Sequence, residues 1–229
     1  MTKTGWIIFA TVVVLGLGGL VAWTRIANPP LDLTGINTAK AIAASDKNGS
    51  IADHTKGNTE SDVTLIEYGD FQCPGCGGAH PYINQLIEEY GDRIQFIFRN
   101  FPLTSMHPNA KAAAAAAEAA GLQGKYWEMH NHLYEAQNEW STADVKSRTD
   151  IFNQYAASLG LNVETFKQDL AESAVADKIA FDVAVGKASD ITGTPTFYIG
   201  KDRMSDEITN SVISGKTDSL KKELDKRLK

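Results

Sequence analysis

The hydrophobic and polar positions divide the chain into three regimes. From Trp6 to Trp23 no charged residue interrupts WIIFATVVVLGLGGLVAW, and roughly 18 residues at about 1.5 Å each make a helix of about 27 Å, close to the thickness of a bilayer core. A tryptophan at each end suits the interfacial belt. Lys3 and the amino terminus before the run, against Arg25 after it, favour an amino terminus on the cytoplasmic side. The run exceeds the roughly 7–15 apolar residues of a cleavable signal peptide, and Leu20-Val21-Ala22 is an imperfect cleavage site. A retained single-pass membrane helix over residues 1–27 is therefore expected, with the rest of the chain outside the cytoplasm. Residues 28–52 carry Pro29-Pro30, Gly35 and Asn48-Gly49-Ser50 and show no sustained apolar period, which predicts a polar linker.

From residue 53 to 229 the pattern alternates between strand and helix. Val63 to Tyr68 predicts a strand ending at the turn Gly69-Asp70. Gly77 to Tyr90 has helical spacing, with Tyr82, Leu86 and Tyr90 on one face and a kink expected where Pro81 removes a backbone donor. A second strand is predicted at Ile94–Asn100. Helical stretches then run over Asn109–Ala120, Lys125–Gln137, Arg148–Leu159, Val163–Ala171 and Ala174–Ser189, a block of about 80 residues. The alanine run Ala112–Ala117 suits a closely packed helix. Strand signals return at Pro195–Ile199 and, more briefly, at Ser211–Ser214, before an amphipathic helix over Thr217–Leu228. This order describes an α/β domain whose sheet is interrupted by a helical insertion at about residues 108–190.

Composition narrows the chemistry. A net charge of −6 and a pI near 5.4 leave no broad basic surface, which argues against nucleic acid as a partner. The chain of 229 residues has only two cysteines, too few and too close for a disulfide framework. They stand as Cys73-Pro74-Gly75-Cys76 between a predicted strand and a predicted helix. Cys73 would then occupy a helix amino terminus, where free backbone N–H groups and the helix dipole favour the thiolate, the reactive form. A zinc site needs a second pair of ligands, and His80 would supply only a third, so no metal is expected. A structural disulfide closing so short a loop contributes only about 2 kcal/mol.

The segments Glu67-Tyr68-Gly69-Asp70-Phe71-Gln72-Cys73-Pro74-Gly75-Cys76, His107-Pro108-Asn109-Ala110, Lys125-Tyr126-Trp127-Glu128-Met129-His130 and Gly193-Thr194-Pro195-Thr196-Phe197 resemble the DsbA-like branch of the thioredoxin superfamily. The resemblance covers about residues 53–229 and implies a thioredoxin-like fold with an inserted helical domain. It implies that Cys73 is the exposed nucleophile, Cys76 the buried resolving cysteine, and Thr194-Pro195 the cis-proline loop that pairs with an extended substrate chain. Glu67, six residues before Cys73 in an apolar strand, resembles the family's acidic residue proposed to exchange a proton with the second cysteine, the alternative being a side chain that points to solvent at the strand end. Pro74 and Gly75 fall where the family tunes its redox potential. The best-known oxidising members have histidine where this chain has Gly75, so one source of thiolate stabilisation is missing. His80, His107 and His130 read as helix-terminal or packing residues, and Trp127 and Met129 as core.

The expected activity is therefore thiol–disulfide exchange on exported protein thiols, without a bound cofactor, in the oxidising direction and with a membrane quinone-linked partner restoring the disulfide. The alternatives are a reductase or isomerase using the same pair, and a non-enzymatic tethered module with a structural disulfide.

Overall fold

The structure is a computed structural model that describes residues 2–27 and 31–229. It forms two compact units, one ending at Thr34 and one spanning Gly35–Lys229. The first consists mainly of helix α1 (Lys3–Ala27), which presents Trp6, Ile7, Phe9, Val14, Leu15 and Leu17 as exposed apolar side chains. A helix thus forms over the expected span, but the side chains of Ile8 and residues 20–27 lie outside the description. Among the described residues no helix is long and apolar enough to cross a membrane, so the spanning role is not part of the observed fold.

The second unit is built on a five-stranded sheet: β1 (His54–Gly57), β2 (Thr64–Gly69), β3 (Gln95–Asn100), β4 (Thr196–Ile199) and β5 (Asp202–Arg203), in spatial order β1-β3-β2-β4-β5. Only β2 and β3 are parallel, joined by the crossover helix α2 (Pro74–Tyr90); the other pairings are antiparallel. Both central strands are buried at every position, as expected for strands covered on two faces. Pro81 stands inside α2 without breaking it.

Between β3 and β4 the chain makes α3 (Ala110–Leu122), α4 (Tyr126–Glu135), α5 (Gln137–Trp140), α6 (Val145–Ser158), α7 (Val163–Asp169) and α8 (Ser173–Ala188). The alanines of α3 do what small side chains permit: Ala113, Ala114, Ala116, Ala117, Ala119 and Ala120 are all buried, and α3 packs closely on α4 and α8. Two helices close the chain, α9 (Asp206–Ile213) and α10 (Asp218–Arg227). The expected short strand at Ser211–Ser214 is instead the end of α9 and its cap. The Ser205 hydroxyl accepts from the Ile208 N–H at 3.2 Å and so caps a helix that begins well before the segment read as strand.

Residues 35–52, expected to be spacer, pack on the domain. The cause is Arg99, a fully buried residue of β3. Its guanidinium donates to the Thr38 carbonyl at 2.6 Å, the Lys40 carbonyl at 2.8 Å and the Asp53 carboxylate at 2.8 Å. Lys178 of α8 completes the cluster with contacts of 2.8 Å to Asp53 and 2.6 Å to Asp182. Backbone carbonyls from the segment thus satisfy a buried cation, a contribution that carries no hydrophobic period. A short 3₁₀ turn (Asp46–Asn48) with a buried Asn48 adds to the packing. The linker residues Asn28–Pro30 lie outside the described residues.

Candidate active site

Cys73 is the N-cap of α2, followed by Pro74 at the first helical position, a residue whose missing N–H costs nothing there. The turn before it is held by Asp70, a buried residue just past the end of β2. Its carboxylate accepts from the Gln72 N–H at 2.8 Å and the Leu103 N–H at 2.8 Å, and meets His107 Nδ1 at 2.7 Å. The Asp70 carbonyl accepts from the Cys73 N–H at 3.0 Å. The Gln72 side chain reaches the insertion, donating to the Ser141 carbonyl at 2.7 Å and accepting from the Asn109 N–H at 2.7 Å.

The two cysteines are both reduced and differ sharply. Both are buried, Cys73 at 8% exposure and Cys76 at 0%, so the nucleophile is more enclosed than the resemblance implies and the contrast between the two is electrostatic. A hydrogen bond from the Cys76 thiol, working against burial and joined by Thr194 and the backbone N–H groups of Cys76 and Gly75, pulls Cys73 down to about 5 from an ordinary 9.0. Burial, then the hydrogen bond and charge of Cys73, push Cys76 well above the usual thiol range. At neutral pH one sulfur is an anion and its neighbour is its proton donor.

The Thr194–Pro195 peptide bond is cis. While protonated, the Cys73 thiol donates to the Thr194 carbonyl at 3.3 Å; once ionised, Cys73 accepts instead from the Thr194 hydroxyl, which is buried with no other partner. Replacing Thr194 by Val removes that donor at nearly constant volume. The midpoint of the pH-dependent alkylation of Cys73, followed by mass spectrometry of its peptide, is expected to rise by about half a unit to one unit. An unchanged midpoint would leave the hydroxyl without influence on the thiolate.

Gly75 faces the same loop. A Cβ built there stands 3.2 Å from Pro195 Cδ and 3.5 Å from Ile213 Cδ1 of α9, so the absent side chain lets the helix start approach the proline loop. Beside them opens a polar cleft of about 360 Å³ lined by Thr194, Pro195, Arg203, Asp206, Asn210 and Ile213.

Glu67 lies in the middle of β2, opposite Phe98 of β3 and Phe197 of β4, and is only 3% exposed. Burial, with a smaller effect from the Cys73 charge, raises its carboxyl from 4.5 to about 8. Its charge is also felt by Cys76. The carboxyl is thus protonated at pH 7 and close to release.

The structure brings Cys73, Cys76, Gly75, Thr194 and Pro195 into contact around one turn, with Glu67 electrostatically coupled to both sulfurs. His80 lies buried in α2 beside Asn84, 3.1 Å away, and is held neutral by burial down to about 4. His130 packs among Phe71, Phe98 and Tyr134. Among the described residues no hydrogen bond joins a histidine to Cys73, and no cluster of three His, Cys, Asp or Glu side chains is placed to hold a metal. The sequence reading missed Asp70, Gln72 and Gln137, whose side chains fix the loop. Asp70 and Gln72 stand just before the cysteine motif, in the segment that carries the resemblance and, for Asp70, in the predicted turn, but neither signal pointed to their side-chain contacts.

Comparison with known proteins agrees with this geometry. The chain is 43% identical over 147 residues to Na(+)/H(+) antiporter NhaA 1 of Salinispora arenicola, a match covering 64% of this chain and 21% of that protein. A similar match is found to NhaA 1 of Mycolicibacterium vanbaalenii, 38% identical over 149 residues, covering 64% of this chain and 23% of that protein. The chain spans about a fifth of the length of these curated relatives. Oxidised BdbD from Bacillus subtilis has a similar fold, with a TM-score of 0.65 and 23% identity over 82% of this chain and 98% of that one. So does Wolbachia pipientis alpha-DsbA1, with a TM-score of 0.60 and 22% identity over 75% of this chain and 94% of that one. A family model described as Thioredoxin matches residues 49–218. With a thioredoxin-like sheet, a DsbA-like arrangement of inserted helices and this match over most of its length, the chain belongs to the thioredoxin family.

Proposed function

We propose that this protein is a thiol–disulfide oxidoreductase that oxidises exported protein thiols through Cys73 and Cys76. The observation that carries the reading is the split between the two sulfurs, an anionic Cys73 at a helix start and a protonated, enclosed Cys76, placed against the Thr194–Pro195 loop. A structural disulfide has no use for that division.

In the oxidising direction a substrate thiolate attacks Cys73 Sγ of the Cys73–Cys76 disulfide. A substrate–Cys73 bond forms, the Cys73–Cys76 bond breaks, and Cys76 leaves as a thiolate that takes a proton from neutral Glu67. The second substrate thiol, as thiolate, then attacks the substrate sulfur of the mixed disulfide and Cys73 leaves as a stable anion. Two electrons pass from the substrate dithiol to the cysteine pair. A membrane quinone-linked partner would remove them again. The polar cleft beside Pro195 would take the extended substrate chain, and the apolar helix α1, exposing Trp6, Phe9 and Leu15, would tether the domain outside the cytoplasm. The antiporter activity named for the relatives belongs to proteins of which this chain spans about a fifth.

The Cys76→Ser variant tests the assignment, since it removes the resolving thiol. Incubated in its 5-thio-2-nitrobenzoate-activated form with reduced, unfolded ribonuclease, it is expected to accumulate a reductant-sensitive adduct through Cys73. The Cys73→Ser variant should accumulate far less. Equal yields from the two variants, or none, would defeat the proposal.

A further inference from the structure

We propose that Gln137, the first residue of α5, is a positioning residue that holds the Cys73 turn in its reactive geometry from the helical insertion. The inference rests on Cys73 being the attacking thiol. Gln137 Nε2 donates to two carbonyls of the redox loop, that of Phe71 at 2.7 Å and that of Cys73 itself at 3.0 Å. The Cys73 carbonyl also accepts the first helical bond of α2, from the Gly77 N–H at 3.0 Å. One acceptor therefore joins the helix start to the insertion.

The consequence for the sulfur is geometric. Its thiolate is stabilised in part by the N–H groups of Gly75 and Cys76, which point at it only while residues 73–76 keep the tight first turn of α2. The loop from Phe71 to Cys73 is irregular and has few backbone partners of its own, so side-chain donors fix it. Asp70 holds one end and Gln137 the other, while Gln72 ties the same loop to Ser141 and Asn109. The bracing is thus reciprocal. A glutamine from the insertion grips the redox loop, and a glutamine from the loop grips the insertion at Asn109, where it begins, and at Ser141, just past α5.

Gly77 gives independent support. A Cβ there would stand 2.9 Å from Gln137 Oε1 and 3.2 Å from both its Cδ and Nε2. The bare Gly77 surface is what lets the carboxamide lie flat against the first turn of α2. Gln137 and Gly77 therefore form one device, although they are sixty residues apart in the chain.

The readout is the pH midpoint for alkylation of Cys73. Cys73 faces two titratable groups, Cys76 on α2 and Glu67 on β2, and Gln137 carries no charge, so its replacement acts on geometry alone. Gln137→Met keeps the length of the side chain and removes the donor. The midpoint is expected to rise by about one pH unit, and labelling at pH 5 to fall several-fold, while the cooperative thermal transition is retained. Gly77→Ala, which displaces the carboxamide, is expected to shift the midpoint the same way, and the double variant by less than the sum of the two. A low wild-type midpoint that Gln137→Met leaves in place, with or without a loss of thermal stability, overturns the positioning role alone. A wild-type midpoint in the ordinary thiol range overturns both this inference and the proposed function.

Discussion

Glu67→Gln is expected to make the reduced protein more stable at pH 8 by about 4 kcal/mol relative to the wild type, once the two are matched at pH 4. The wild-type carboxyl is raised from 4.5 to about 8, first by burial between Phe98 and Phe197 and then by the Cys73 thiolate. Between these two values the folded state keeps a proton that the unfolded state has released. The folded state binds more protons, so stability falls as pH rises through that window. Glutamine cannot ionise, and the slope contributed by this site disappears. Urea unfolding of the reduced protein at several pH values between 4 and 8 gives the comparison, and the difference between variants isolates Glu67 from the other buried acids. In the oxidised protein the Cys73 charge is absent, and the gap should narrow. The same substitution removes the proton partner of Cys76, so formation of the mixed disulfide, the step in which Cys76 leaves, should slow about a hundred-fold. Parallel stability profiles for Gln and Glu, or unchanged exchange kinetics near pH 7, would return Glu67 to a packing role.

That a carboxyl in an apolar strand is unusual was readable from the sequence. Glu67 stands next to the end of Val63–Tyr68, however, where a solvent-facing side chain fitted the pattern equally, and only the pairing with Phe98 and Phe197 decides for burial. The redox turn was readable because strand, turn and helix signals are local, and the two cysteines sit where they meet. What was not legible depends on partners distant in the chain. Arg99 gave no hint that it would draw in the carbonyls of Thr38 and Lys40, so a segment without apolar period was read as a spacer. β1 was missed because His54–Gly57 has no alternation; it pairs along β3 by backbone bonds. The segment Ser211–Ser214 read as strand from Val212 and Ile213 alone. The fuller helical period only appears once the Ser205 cap is taken as the start, and that start sets Ile213 against Gly75. Gln137 closes a predicted helix and nothing around it points to residue 73. Its significance lies in a distance of 3.0 Å across sixty-four residues.

The midpoint potential of the Cys73/Cys76 pair is expected near about −220 mV, and this value decides the direction of exchange. A thiol whose folded value is depressed stabilises the reduced protein above its unfolded value, and that stabilisation is lost as pH falls through the folded one. Cys73 is drawn from 9.0 to about 5, so at pH 7 its thiolate favours the reduced state by about 2.7 kcal/mol. A nucleophilic cysteine near about 7, as in thioredoxin, gains only about 0.4 kcal/mol by the same relation. The difference of about 2.3 kcal/mol corresponds to about 50 mV for a two-electron couple, which moves thioredoxin's value of about −270 mV to about −220 mV. The shift is positive because the disulfide has no thiolate to stabilise, so whatever favours the anion makes the oxidised form a stronger oxidant. Gly75 adds no side-chain donor, which keeps the expected value short of the roughly −120 mV of DsbA. Equilibration with glutathione mixtures at pH 7, followed by alkylation and mass measurement, gives the number. A potential near −220 mV suits a disulfide donor that an external oxidant must restore. A potential at or below about −270 mV would turn the same two sulfurs into a reductase and end the oxidase reading.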